Sequence, residues 1–233
     1  MVNLNSDGRI TWYRTNVIEF ICRMNLSDFP FDTQTCELKF SSINFHISEM
    51  PIIGFIDLAN DYEGASNGEW TILNITSHNQ AYPGRSNYVY SNPLFRITLK
   101  RSTNFYIFLM IIPSFVLTVL AILGLFWEAI NADSYMDKLN LGFAAILAMM
   151  FVLQMVTQDM PKINKSDRLS FYLLLNLSLI ALGSILVMIL GKTRKRKKEE
   201  AKGVIALCYQ YTHLILLFVF LTGAVINFVL LFR

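Results

Sequence analysis

Apolar and polar positions are unevenly distributed along this chain. From Phe105 onward, long apolar stretches alternate with short polar ones. They run from about Phe105 to Trp127, Leu139 to Val156, Leu169 to Leu190 and Val204 to Phe232. A helix needs about 20 apolar residues to cross the roughly 30 Å hydrocarbon core of a bilayer. A spanning segment must also satisfy its own backbone in lipid, so each stretch is predicted to be a transmembrane helix. The competing reading is a large buried helical core, but four stretches of this length rarely coexist in a soluble domain. Residues 1 to about 104 read as an ordinary mixed polar segment. The shift in composition near Arg101–Asn104 predicts two domains, 1–103 and 104–233.

Charge orients the spans. The linker at about 191–203 holds Lys192, Arg194, Lys195, Arg196, Lys197, Lys198 and Lys202. The positive-inside rule places that loop in the cytoplasm and both termini outside. Lys100, Arg101, Lys162, Lys165 and Arg168 fall on the outer side against the rule, and the loop Glu128–Lys138 has three acids and one base. The basic run suits anionic lipid better than a specific partner. With a net charge of only +3, the whole chain does not read as nucleic-acid binding.

An outer location for the first half agrees with two glycosylation acceptor patterns, Asn25-Leu26-Ser27 and Asn74-Ile75-Thr76. Met1–Asn5 is polar and lacks the apolar core of a signal peptide, so the chain is expected to begin inside a longer protein. No motif for nucleotide binding, metal ligation or nucleophilic catalysis is present. His46, His78 and His213 are isolated, and Cys208 reads as a buried or lipid-facing residue. Neither an enzyme nor a cofactor is expected.

The second span carries the most information. Asn140, Ala144, Leu147, Phe151 and Gln154 or Met155 recur at helical spacing and share one face, with Asp137 before them and Asp159 after. A pore needs that order of polar, apolar and polar. Acids at the mouth concentrate cations, a polar ring replaces hydration water, and a large apolar ring closes by dewetting. Ordinary helix packing remains the alternative. Asp137 also suits a plain helix start, whereas Asp159 at a C-terminus is disfavoured by the helix dipole. Pro113, inside the first span, is either a simple kink or a gating element.

In the first half, thirteen residues separate Cys22 from Cys36. In an oxidising compartment the two can close a loop worth about 3 kcal/mol in the chain-entropy picture. The loop carries Phe29-Pro30-Phe31-Asp32, an apolar and rigid run ending in an acid, which needs something to bury against. Tyr88 and Tyr90 flank Val89, so a strand here would turn both to one side. They can cage an ammonium ligand, or serve as common strand residues.

The loop with Phe29-Pro30-Phe31-Asp32 and Gln34 before Cys36 resembles that of the Cys-loop receptors, the pentameric ligand-gated ion channels, and is most similar to their nicotinic members. The resemblance covers nearly the whole chain. Asp7-Gly8-Arg9-Ile10-Thr11-Trp12 looks like the strand leading to the loop, and Gly68-Glu69-Trp70 like the segment before the ninth strand. Arg101, Pro113 and Pro161 match a family arginine and two prolines. The resemblance implies a partial extracellular antiparallel β-sandwich with a four-helix transmembrane bundle. It implies a coupling loop of Phe29, Pro30, Phe31 and Asp32 acting with Arg101 and Pro161. It places the pore on Asp137, Asn140, Ala144, Leu147, Phe151, Gln154 and Asp159.

The pair Asp137-Lys138 matches the inner mouth of cation-selective members. Ala144 departs from the usual small hydroxyl and Phe151 from the usual aliphatic, which puts conductance in question. The nicotinic tryptophan after the loop is absent from Ser41–Phe45, and so are the paired cysteines near Asn87–Pro93. The implied partners are four other subunits, a small neurotransmitter-type ligand and membrane lipid, at the plasma membrane, a synaptic one included. The alternative functions are a non-conducting assembly subunit and a four-span scaffold or adhesion protein.

Overall fold

The structure, a computed structural model, describes residues 2–42, 44–57, 66–84, 88–127, 135–159, 167–197 and 204–233. Two compact units divide the chain. One comprises Met1–Met24, Gln34–Ala65 and Ile72–Leu99, and the other Asn25–Thr33, Ser66–Thr71 and Lys100–Arg233.

The first unit is antiparallel β. Strands β1 (Val2–Leu4) and β2 (Ile10–Trp12) form a hairpin in which Val2 faces Trp12. Gly8, at φ +83°, takes the left-handed conformation its turn requires, which costs a residue without Cβ nothing. A second sheet has the order β3 (Thr33–Lys39), β5 (Val89–Arg101), β4 (Trp70–Pro83). Two backbone bonds fix its β3–β5 register: Phe40 N–H donates to Pro93 O at 3.0 Å and Arg101 N–H to Asp32 O at 3.3 Å. The two pairs sum to the same number, as an antiparallel ladder demands. Alternation along β3 buries Gln34 and Cys36, the period of two expected of a strand with one covered face. Val17 and Ile21, in the segment after β2, are more than nine-tenths exposed.

The second unit holds four long apolar helices. The first span, Asn104–Phe126, is one helix in three parts: α1 (Asn104–Tyr106), a π-helical turn (Ile107–Ile111) and α2 (Ile112–Phe126). The wide turn ends two residues before Pro113, whose ring removes a backbone donor. Then come α3 (Tyr135–Asp159), α4 (Arg168–Lys197) and α5 (Val204–Leu231). The lengths qualify Tyr135–Gln158, Arg168–Thr193 and Tyr211–Leu231 as spans, alongside the first.

The core of this unit is built from Met110, Ile111, Ala145, Met149, Leu169, Leu173 and Ile180, all buried. Small residues let the backbones approach: a methyl group at Gly142 of α3 would collide with the Ser184 hydroxyl of α4. A buried pair of amides also crosses the bundle. Asn227 Nδ2 donates to Asn176 Oδ1 at 2.8 Å and to the Tyr172 carbonyl at 3.0 Å, joining α5 to α4.

Two helices outrun their apolar stretches. α3 starts at Tyr135, four residues before the predicted Leu139, and α4 continues to Lys197, into the basic run expected to be linker. Lysine and arginine are good helix formers, so the end of an apolar stretch does not end the helix.

Candidate functional site

The loop between the cysteines closes through a Cys22–Cys36 disulfide, with Cα atoms 5.3 Å apart. Its tip, Asn25–Thr33, belongs to the helical unit. Two backbone turns shape it: Phe29 N–H donates to Leu26 O and Phe31 N–H to Asp28 O. The Phe29–Pro30 peptide is cis. These turns aim the apolar side chains together. Phe29, 2% exposed, meets Tyr106 edge-on at 4.7 Å, and Phe31 meets Phe232, at the end of α5, at 5.4 Å. Burying one such ring is worth about 1.5–3 kcal/mol. The tip therefore has the burial partner its composition calls for.

Beside it lies a charged node. Arg101, the last residue of β5, is buried. Its Nε donates to Asp32 Oδ1 at 2.9 Å and its Nη1 to Glu69 Oε1 at 2.6 Å. The guanidinium is 4.1 Å from the Trp70 ring centroid and 4.9 Å from that of Phe29. A guanidinium suits this place because its planar fork serves two carboxylates while its faces stack on rings. A second contact lies at the start of α4. Arg168 Nη2 is 2.8 Å from Asp28 Oδ1, and its backbone N–H donates to Ser27 O. Asp167 Oδ2 accepts from the Ser170 N–H at 2.9 Å, capping the helix.

Along α3, Asp137, Asn140, Ala144, Leu147, Phe151 and Gln154 are all exposed. Leu147 is 62% and Phe151 67% exposed. The opposite side, with Lys138, Gly142, Ala145, Met149 and Val156, is buried. Lys138 Nζ turns inward and donates to the Leu125 carbonyl at 3.3 Å. The side of α3 left uncovered by the chain's own helices is broad and also takes in Leu141, Phe143, Met150 and Met155.

The remaining predicted residues fall elsewhere. Tyr88 lies just before β5 and packs edge-on against His46 at 4.6 Å. Tyr90 lies within β5, its ring close to Gly84. Asn25 and Asn74 are exposed. Asn25 Oδ1 accepts from the Ser27 hydroxyl at 2.7 Å. Pro161 and the side chains of Asp159 and Cys208 lie outside the described residues. Sequence reasoning missed Glu69, Asp28, Arg168, Tyr106 and Phe232. Glu69 and Asp28 stood in recognised segments; no local signal marked the contacts of any of the five, since their partners are distant in sequence.

Four apolar helices, and a disulfide-closed loop whose apolar tip is packed among them, define a multi-pass membrane protein with a receptor-type β-unit. Residues 1–103 match the neurotransmitter-gated ion-channel ligand binding domain family. The neuronal acetylcholine receptor subunit alpha-9 of Gallus gallus is 30% identical over 190 residues, which cover 81% of this chain and 38% of that protein. The human alpha-9 subunit is 27% identical over 188 residues, covering 80% and 38%. Ligand-gated ion channel 4 of Caenorhabditis elegans is 26% identical over 162 residues, covering 69% and 25%. The chain therefore belongs to the Cys-loop receptors, a receptor family rather than an enzyme family, and spans well under half the length of these relatives.

Proposed function

We propose that this chain is a subunit of a pentameric, extracellular-ligand-gated, cation-selective channel of the plasma membrane. Residues 1–103 form its outer domain, residues 104–233 its membrane domain, and both termini lie outside. The observation that carries this reading is the uncovered stripe of α3. A spanning helix that buries Ala145, Met149 and Val156 but leaves Asn140, Ala144, Leu147, Phe151 and Gln154 bare needs water, lipid or another subunit on that side. The stripe mixes amide and apolar side chains, which suits a wet axis better than lipid. Asp137, with an exposed side chain at the start of α3, is an acid at one mouth of that axis.

The ligand is a small neurotransmitter-type molecule held by the outer domain, with Tyr88 and Tyr90 as candidate contacts. The loop tip then carries ligand-driven motion to the helices. Phe29 on Tyr106, Phe31 on Phe232 and Asp28 on Arg168 support that role, because each joins the tip to a different span. Action of the tip together with Pro161, which the resemblance implies, involves a residue outside the described ones. The test is single cysteines along α3 probed with water-soluble thiol reagents. Positions 140, 144, 147, 151 and 154 should react and positions 145, 149 and 156 should not; the reverse pattern would overturn the pore reading.

A further inference from the structure

We propose that the cavity of about 410 Å³ between the end of β5 and the first span binds an organic ammonium cation. Gly68, Glu69, Ser102, Phe105 and Tyr106 line it, all in the helical unit and apart from Tyr88 and Tyr90.

Charge is the first argument. One guanidinium, Arg101, pairs with two carboxylates, Asp32 and Glu69. The Asp32 side chain is fully enclosed and that of Arg101 is 7% exposed, whereas the Glu69 side chain is 54% exposed. The carboxylate that reaches the cavity is therefore that of Glu69. Its Oε1 is taken by Arg101; among the described residues its Oε2 has no hydrogen-bond partner.

The walls are the second argument. Phe105 and Tyr106 stand at 87° to one another with centroids 5.5 Å apart, and the Phe105 ring is half exposed. A carboxylate with aromatic faces nearby attracts a cation that has an apolar body. A bare metal ion fits poorly, because hard cations take 6–8 oxygen ligands and this wall offers few. The cation can come from solution or from a choline-type lipid headgroup. The site stands whether or not the assembly conducts.

The test uses the full chain carrying Trp12→Phe and Trp127→Phe, both replacing exposed rings, so that Trp70 reports alone. The chain is placed in nanodiscs and titrated with tetramethylammonium chloride against sodium chloride at equal ionic strength. Saturable change with the organic cation alone is expected. Glu69→Gln keeps a carbonyl for Arg101 and should weaken binding at least tenfold; Phe105→Ala should weaken it several-fold. Thermal unfolding of each variant separates lost binding from lost fold. An equal response to sodium, or unchanged titration in folded Glu69→Gln, would overturn the proposal. Discs of phosphatidylcholine and of a neutral glycolipid identify the source. Weaker apparent binding in phosphatidylcholine assigns the headgroup as occupant, and equal binding assigns a soluble cation.

Discussion

Arg101 Nε and Asp32 Oδ1 meet at 2.9 Å across 69 residues of sequence, both buried. Removing one member of a buried pair leaves an uncompensated charge, at a cost of about 3–5 kcal/mol. Arg101→Gln should lower stability by about that much and sharply reduce the folded yield, read by thermal unfolding of the solubilised chain. Asp32→Asn keeps an acceptor and leaves Arg101 its bond to Glu69, so about 1–3 kcal/mol is expected. Equal losses in the two variants would contradict the asymmetry.

The pair Asp28–Arg168 offers a contrast. Both side chains are about half exposed, so solvent screens them. A double-mutant cycle with Asp28→Asn and Arg168→Gln should give a coupling of about 0–1 kcal/mol. If coupling of ligand to current also runs through this contact, the same variants should shift agonist sensitivity while leaving unfolding temperature nearly unchanged.

Asn227 and Asn176 should behave as one unit. Asn227→Leu strands the Asn176 carbonyl oxygen in the bundle and should cost about 1–2 kcal/mol. Replacing both with leucine should recover most of that, because removing both partners is far cheaper than removing one. Helix association measured in the membrane, single against double variant, decides the matter.

On the α3 stripe, Leu147→Ser replaces a large apolar side chain with a small polar one. If Leu147 closes the path by dewetting, the half-maximal agonist concentration should fall about tenfold, or about 1.4 kcal/mol toward the open state. Unchanged gating in whole-cell recordings would remove Leu147 from the gate.

Selectivity has a separate check. Asp137→Ala should lower cation conductance and move the reversal potential away from that of sodium and potassium, because the acid concentrates cations at its mouth. A wild-type reversal potential that tracks chloride would reject the cation assignment outright.

What could be read from the sequence followed the range of each interaction. Four spans were legible because hydrocarbon thickness demands long uninterrupted apolar runs. The loop tip was legible as something that must be buried, because Phe29 and Phe31 flank a proline in a polar half. Their partners Tyr106 and Phe232 were not, since nothing local links residue 31 to residue 232. The Arg101 node was half visible. Arg101 and Asp32 came from resemblance, while Glu69 entered only when the fold brought residues 32 positions apart to 2.6 Å. Asn176 and Asn227 had a signal that went unused: an amide inside a spanning stretch is costly unless paired. Helix ends were misjudged at Tyr135 and Lys197 because apolarity marks what lies in lipid, not where helical hydrogen bonding stops.

The grouping of Asn25–Thr33 with the helices has a practical consequence for anyone dissecting this chain. A water-soluble fragment ended at residue 103 would take Leu26, Phe29 and Phe31 away from Tyr106 and Phe232 and leave a greasy knob in solvent. Such a fragment should clump on purification unless those three side chains are traded for hydrophilic ones.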